Sequence, residues 1–138
     1  MNKIILIIIA AVIVAAGLPA QGQSAPQNRN YIVLAKQLAQ LELIFLTAQE
    51  LKEKDGVKTN DFQALICGKE VTELTDPQKM APLIKRAEES GVQLVVCGFS
   101  LSMFKVDRRL IPDPIKIVDN GLLHAIELQQ KGYISVSL

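Results

Sequence analysis

The chain has 138 residues, of which 49% are hydrophobic and 4% aromatic, with no Trp. This length suits one small domain whose core is built mainly from Leu, Ile and Val. The 15 basic and 14 acidic residues give a formal charge of +1. Such a balance argues against nucleic acid or an anionic membrane as a partner, because both favour a basic surface.

The N-terminal residues 1–22 are predicted to be a signal peptide. A short basic start precedes an unbroken apolar run at residues 4–16, and the small residues Ala20 and Gly22 suit cleavage before Gln23. The run is shorter than the roughly 20 residues of a membrane span, and a retained N-terminal membrane anchor is the alternative. We expect the mature protein to be exported, in the periplasm, with no membrane association once the signal is removed.

Residues 31–138 are predicted to form a single domain behind a polar, flexible lead-in at residues 23–30. Short apolar runs alternate with segments of helical periodicity, which is typical of an α/β fold with a parallel sheet. We therefore predict a three-layer α/β/α sandwich with a mostly parallel sheet of about five strands. The predicted strands span residues 31–35, 62–67, 92–97, 115–118 and 133–136, the last at a sheet edge, and the predicted helices span 38–54, 80–90 and 122–131.

The first predicted helix is apolar on two sides. Leu41, Ile44 and Ala48 fall on one face at helical spacing, while Leu43 and Leu46 form a second stripe. A helix of this kind is either sandwiched between layers or lies at a contact between subunits. We favour the subunit contact.

Proline residues complicate the middle of the chain. Because an interior Pro breaks the helical hydrogen-bond ladder, we predict a short turn at residues 72–78 and then a helix that opens near Met80, with Pro82 in its first turn. Residues 98–114 are predicted to be the longest irregular stretch. Within it, residues 101–105 are predicted to form one helical turn.

Two apolar runs, thirty residues apart, end in the same Cys-Gly pair, at Cys67 and Cys97. We expect both thiols at the carboxyl ends of parallel strands, where open α/β sheets place their ligands. Neighbouring strands lie about 4.8 Å apart, so two matched strand ends could be bridged by a disulfide. An intervening strand would separate the thiols too far, and the sequence pattern does not give the strand order.

Cys97 is the stronger candidate for a reactive thiol. A helical turn just after it would aim free N–H groups at the sulfur, which favours the thiolate. Ser100 offers a nearby hydroxyl, and Arg108 or Arg109 would add positive charge if the loop folds back. Such a thiolate can attack a sulfane or disulfide sulfur. The alternative is that Cys97 is packed and inert. Cys67 is either the resolving partner of Cys97 or an ordinary residue at the end of a strand.

The other residue types do not suggest a metal or cofactor site. His124 is the only imidazole, and its helical position places it near the solvent-facing side, so we interpret it as ordinary surface. One His and two separated Cys residues do not make a zinc site, and no glycine-rich loop for phosphate is visible. We expect no cofactor and no metal.

The segments Val92–Leu101, Pro114–Gly121 and Glu127–Tyr133 together resemble the DsrE/DsrF-like family, in particular its small exported members. The resemblance implies the three-layer fold and assembly into homo-oligomers, often trimers or hexamers. Better-known relatives carry persulfide sulfur on one Cys within sulfur-transfer relays, and Cys97 is the matching position here. Those relatives act beside partner subunits, so a protein that donates or accepts sulfur is an implied partner.

Three hypotheses for the function follow. The first is an exported sulfur-handling protein in which Cys97 accepts and passes on sulfane sulfur. The second is a non-catalytic oligomeric binding or scaffold module of the cell envelope. The third is a Cys67/Cys97 pair that cycles between dithiol and disulfide. The sequence leaves open whether the protein is an enzyme.

Overall fold

The computed structural model describes residues 29–55 and 61–138, so the predicted signal peptide and most of the predicted lead-in lie outside the described residues. No helix in the described ranges is long and apolar enough to cross a membrane. In chain order, the elements are β1 (Tyr31–Ala35), α1 (Gln40–Asp55), β2 (Phe62–Ile66), a 3-10 helix (Lys69–Thr75), α2 (Pro77–Ser90), β3 (Gln93–Cys97), α3 (Gly98–Met103), a second 3-10 helix (Arg108–Leu110), β4 (Lys116–Val118), α4 (Gly121–Gln130) and β5 (Ile134–Ser137).

The strands form one sheet in the order β4-β3-β2-β1-β5, and every neighbouring pair is parallel. The predicted α/β fold is therefore confirmed, including the edge position of β5. The chain moves in one direction from β1 to β4 and then returns to the far side of β1. Because parallel crossovers are right-handed, this reversal puts α4 on the face opposite α1 and α2, which produces the three layers.

The core is divided between the two faces of the sheet. The larger part lies beneath α1 and α2, and includes Leu41 and Phe45, which have no exposed surface. The smaller part lies beneath α4, where Leu65 and Val95 pack against Leu128. Each fully buried side chain of this kind stabilises the fold by about 1.5–3 kcal/mol. β2 is buried along its whole length, as expected of a central strand in a parallel sheet.

The second helix begins before Met80, so the predicted start was wrong. α2 starts at Pro77, and Asp76 Oδ1 accepts hydrogen bonds from the N–H groups of the second and third helical residues at 2.9 and 3.3 Å. These bonds satisfy two of the N–H donors that the start of the helix leaves free, and Pro77 has no N–H to satisfy. Pro82 consequently lies inside the helix rather than in its first turn.

The segments predicted to be irregular contain more helix than expected. The first 3-10 helix, Lys69–Thr75, occupies much of the turn predicted at residues 72–78. α3 begins directly after β3, and therefore starts before the helical turn predicted at residues 101–105. This early start brings the N–H groups of α3 next to the end of β3.

Candidate functional site

The two thiols meet at the carboxyl edge of the sheet. β2 and β3 are neighbours, and Ile66 pairs with Val96, so Cys67 and Cys97 follow at matched positions. Both cysteines are free thiols. A Cβ atom built on Gly121, the first residue of α4, would lie 3.1 Å from Cys67 Sγ and 3.2 Å from Cys97 Sγ. The strand order that the sequence could not supply thus places both sulfurs against the same glycine.

Cys97 lies where the beginnings of α3 and α4 converge. The residue is only 6% exposed, yet its side chain lies just beneath the surface. The Gly121 N–H donates a hydrogen bond to Cys97 Sγ at 3.3 Å. Burial alone would raise the pKa of Cys97. Interactions with the N–H groups of Ser100, Gly121 and Phe99, and with the Ser100 hydroxyl, outweigh burial and lower the pKa below its ordinary value.

The pKa of Cys67 is shifted in the opposite direction, upwards. Its burial, the negative charge of Cys97 and a side-chain hydrogen bond with Cys97 together raise the pKa of Cys67 to about 12. Cys67 therefore holds its proton at neutral pH, and Cys97 is the more readily ionised of the two thiols. The two neighbouring thiols differ in acidity because hydrogen bonds from several N–H groups lower the pKa of Cys97, whereas burial and Cys97 itself raise the pKa of Cys67.

Ser100 connects the two thiol-bearing segments. Its Oγ accepts a hydrogen bond from the Gly68 N–H at 3.0 Å, which ties the residue after Cys67 to α3. The same hydroxyl contributes to the lowered pKa of Cys97. The structure therefore brings Ser100 together with both predicted cysteines.

The two predicted arginines have acidic partners. Arg108 lies over Gly98, and its Nη1 pairs with Asp119 Oδ1 at 3.1 Å. Arg109 Nη2 pairs with Asp107 Oδ2 at 2.6 Å, and its side chain is 88% exposed. The low pKa of Cys97 therefore arises from hydrogen bonds rather than from a guanidinium.

An open cavity of about 320 Å³ gives access to the thiols. A larger cavity of about 470 Å³, beside Glu70 and Lys79, has neither thiol in its wall. In the part of the chain that the structure describes, no three His, Cys, Asp or Glu side chains are grouped so that they could hold a metal ion. The wall of the thiol cavity is formed by Cys67, Cys97, Phe99, Ser100, Met103, Asn120 and Leu122.

A separate polar cluster lies between β2 and α4. The side chain of Gln63, a buried residue, contacts His124 Nε2 at 2.8 Å and Asp61 Oδ2 at 2.7 Å. The Tyr133 hydroxyl donates to the same carboxylate at 2.5 Å, which raises the pKa of Tyr133 to about 12. Burial, and then the charge of Lys116, lower the pKa of His124. His124 is half-buried, so the surface prediction was wrong; its contact satisfies the buried Gln63 amide.

Sequence reasoning did not identify Gly121 as a site residue. Asn120 Oδ1 accepts hydrogen bonds from the N–H groups of Leu122 and Leu123, each at 3.1 Å, and so caps α4. The Gly121 N–H is thereby left to donate to Cys97. The available signal was a Gly placed just after a good N-cap residue, where helix formation itself does not call for Gly.

The comparisons with known proteins agree with this fold. The model of the DsrE/DsrF-like family matches residues 37–138. A solved structure of a protein of unknown function from Methanobacterium thermoautotrophicum is similar, with a TM-score of 0.65 and 13% identity, over 81% of this chain and 100% of that one. A conserved protein of unknown function from Bacteroides thetaiotaomicron is similar with a TM-score of 0.61 and 15% identity, over 83% and 99% of the two chains. A search of the curated proteins finds no match.

Proposed function

Because the chain belongs to the DsrE/DsrF-like family, we propose that it is a sulfur-handling protein in which Cys97 carries sulfane sulfur. The supporting observation is the Cys97 sulfur at the start of two helices, where it accepts the Gly121 N–H at 3.3 Å. Hydrogen bonds of this kind favour the thiolate, and the thiolate is the form that attacks another sulfur.

The proposed loading step involves no net oxidation. The Cys97 thiolate attacks the terminal sulfur of a donor persulfide, R–S–SH, and a new S–S bond forms at Cys97. The S–S bond of the donor breaks, and the donor leaves as the thiolate R–S⁻. The proton of the donor stays on the transferred sulfur, so the product is a Cys97 persulfide.

When sulfur is delivered to an acceptor, Cys97 becomes the leaving group instead of the attacking group. An acceptor thiolate attacks the outer sulfur of the Cys97 persulfide, and the Cys97 thiolate is the leaving group. The N–H groups that lower the pKa of Cys97 make it a better leaving group, because a thiol of lower pKa leaves faster. The Cys67 proton faces the same sulfur and stabilises the charge that returns to Cys97.

The proposal includes an exported, oligomeric protein. An apolar run with a signal-peptide pattern at residues 1–22 supports export to the periplasm. Exposed Leu43 and Leu46 on α1 support a contact between copies, as in a trimer or hexamer. A sulfur donor or acceptor protein is the further partner that we propose.

The test is the intact mass of protein purified from the cell envelope, before and after exposure to a persulfide donor. We expect a species about 32 Da heavier on the wild type, and its reversal by a thiol reductant. Reversal matters because two added oxygen atoms give nearly the same mass but a sulfinic acid resists thiols. The untreated mass also reports whether residues 1–22 have been removed.

Matched cysteine variants locate the added sulfur. Cys67→Ser should still gain the reversible mass, while Cys97→Ser should not. An equal gain on Cys97→Ser, or no gain on the wild type, would overturn sulfur transfer through Cys97.

The Cys67/Cys97 redox pair is the second candidate, and the contact of both sulfurs with Gly121 favours it. The same spectra address it, since a disulfide lowers the mass by about 2 Da and blocks both thiols. Two titratable thiols in the denatured, oxidised protein would eliminate this candidate. The high pKa of Cys67 disfavours it as an attacking thiolate.

A further inference from the structure

The cavity above the thiols has an apolar rim. Phe99, Met103 and Leu122 form this rim, and about two thirds of each residue is exposed. Among the described residues in the cavity wall, none is Lys, Arg, Asp or Glu. A ligand that enters therefore meets hydrocarbon around its body, and polar groups only near the sulfurs.

The two arginines in the segment after α3 each have a carboxylate partner. Arg108 is paired with Asp119 at 3.1 Å, and Arg109 with Asp107 at 2.6 Å. The N–H groups at the base of the cavity interact with Cys97 itself. A thiolate at Cys97 and a negatively charged donor would therefore repel one another, with no cation in the cavity wall to compensate.

We propose that the donor is an organic persulfide whose body is uncharged and apolar, rather than thiosulfate or a persulfide with a charged body. This inference rests on the proposed function, because it names the substrate class of the same cysteine. The hydrocarbon body of the donor packs against Phe99, Met103 and Leu122. Its S–SH group reaches Cys97, and the body leaves as an organic thiolate when the S–S bond breaks.

The experiment compares initial rates of loading from benzyl persulfide, glutathione persulfide and thiosulfate at equal concentration. The rate is the appearance of the reversible species about 32 Da heavier on Cys97. Each rate is divided by the rate for a short unstructured thiol peptide, so that the intrinsic reactivity of the donor cancels. We expect the normalised rate for benzyl persulfide to exceed both others by at least about tenfold, because only its body is free of like-charge repulsion.

Lysine variants at the rim test the charge argument directly. Met103→Lys and Leu122→Lys should each reduce the preference for the uncharged donor by several fold, mainly by faster loading from the anionic donors. Leu123→Lys is the matched control, since Leu123 is 51% exposed on the same helix but lies outside the cavity wall. This variant should keep the wild-type preference.

The outcomes separate the two proposals. Equal or faster loading of the wild type from the anionic donors, or an unchanged preference in both rim variants, would overturn the substrate class and leave sulfur transfer standing. Loading from none of the donors would overturn the proposed function, and this inference with it.

Discussion

At the scale of single residues, the absence of a side chain at Gly121 is what allows the thiol site to form. A Cβ there would lie 2.9 Å from Cys97 Cβ, closer than real Cβ atoms approach. The amide of the same residue supplies a hydrogen bond to Cys97 Sγ. Gly121 thus combines close approach of the backbone with stabilisation of negative charge on sulfur.

Gly121→Ala should therefore alter both stability and thiol chemistry. We expect the extra methyl to cost about 1–3 kcal/mol in the free energy of unfolding, because the surroundings are closely packed. The displaced N–H should raise the pKa of Cys97, so the thiolate appears only at higher pH. Peptide-resolved alkylation with iodoacetamide as a function of pH measures this shift.

Gly132→Ala provides the control for that variant. Gly132 has a φ of +90° with open space around its Cβ position, so Ala there costs about 1–2 kcal/mol through backbone strain alone. Its alkylation profile at Cys97 should match that of the wild type. A wild-type profile in Gly121→Ala would contradict the role assigned to Gly121.

At the scale of elements, α2 shows that a strong N-cap can outweigh an interior proline. Asp76 anchors the start of the helix, and the chain continues through Pro82 to Ser90. Pro82 has no N–H to donate to the carbonyl of Gln78, so one helical hydrogen bond is absent. The lost bond makes the middle of α2 weaker than its length suggests.

Pro82→Ala should stabilise the domain. We expect the free energy of unfolding to rise by about 1–3 kcal/mol. The regained helical hydrogen bond should stabilise the folded state by more than proline does when it restricts the unfolded chain. Urea unfolding followed by circular dichroism measures the change. Asp76→Ala should shift stability the other way, by about 1 kcal/mol, through loss of the cap. A destabilised Pro82→Ala would show that the ring makes a packing contribution.

At the scale of the whole molecule, α1 exposes an apolar surface that is suited to contact with another copy. On α1, Leu43 and Leu46 are 57% and 46% exposed. Leu43 also lines an apolar cavity of about 200 Å³, together with Val136 and Leu138. Apolar surface of this kind favours association. We propose that α1 and the adjoining sheet edge form the contact between subunits.

The double variant Leu43→Glu/Leu46→Glu should dissociate the assembly while leaving the fold intact. Surface substitutions of this kind change stability by only about 0.5 kcal/mol, so a loss of molar mass would report the interface itself. Sedimentation equilibrium measures the mass. Leu110→Glu is the control, because Leu110 is 61% exposed and lies outside α1, and it should leave the molar mass unchanged. A wild type that is already monomeric would refute the proposed contact.

The sequence predicted the fold well where local pattern decides structure, and less well where distant contacts do. The strands predicted at residues 62–67 and 92–97 agree with β2 and β3 to within one residue at each end, because buried runs are bounded by glycine. Strand order depends on long-range pairing, so the distance between the thiols could not be predicted. The bond between Gln63 and His124 was missed for the same reason, since their partnership spans sixty-one positions of the chain.

The parallel pairing of β5 with β1 has a consequence for how the chain matures. Tyr31 pairs with Ile134, and the Leu138 N–H donates to the Leu34 carbonyl at 3.0 Å, so Leu138 takes part in the ladder. Until β5 has been synthesised, β1 presents one unpaired edge, which is a template for association with other chains. A copy that stops before β5 would keep that edge permanently, so it should aggregate rather than form a shorter folded protein.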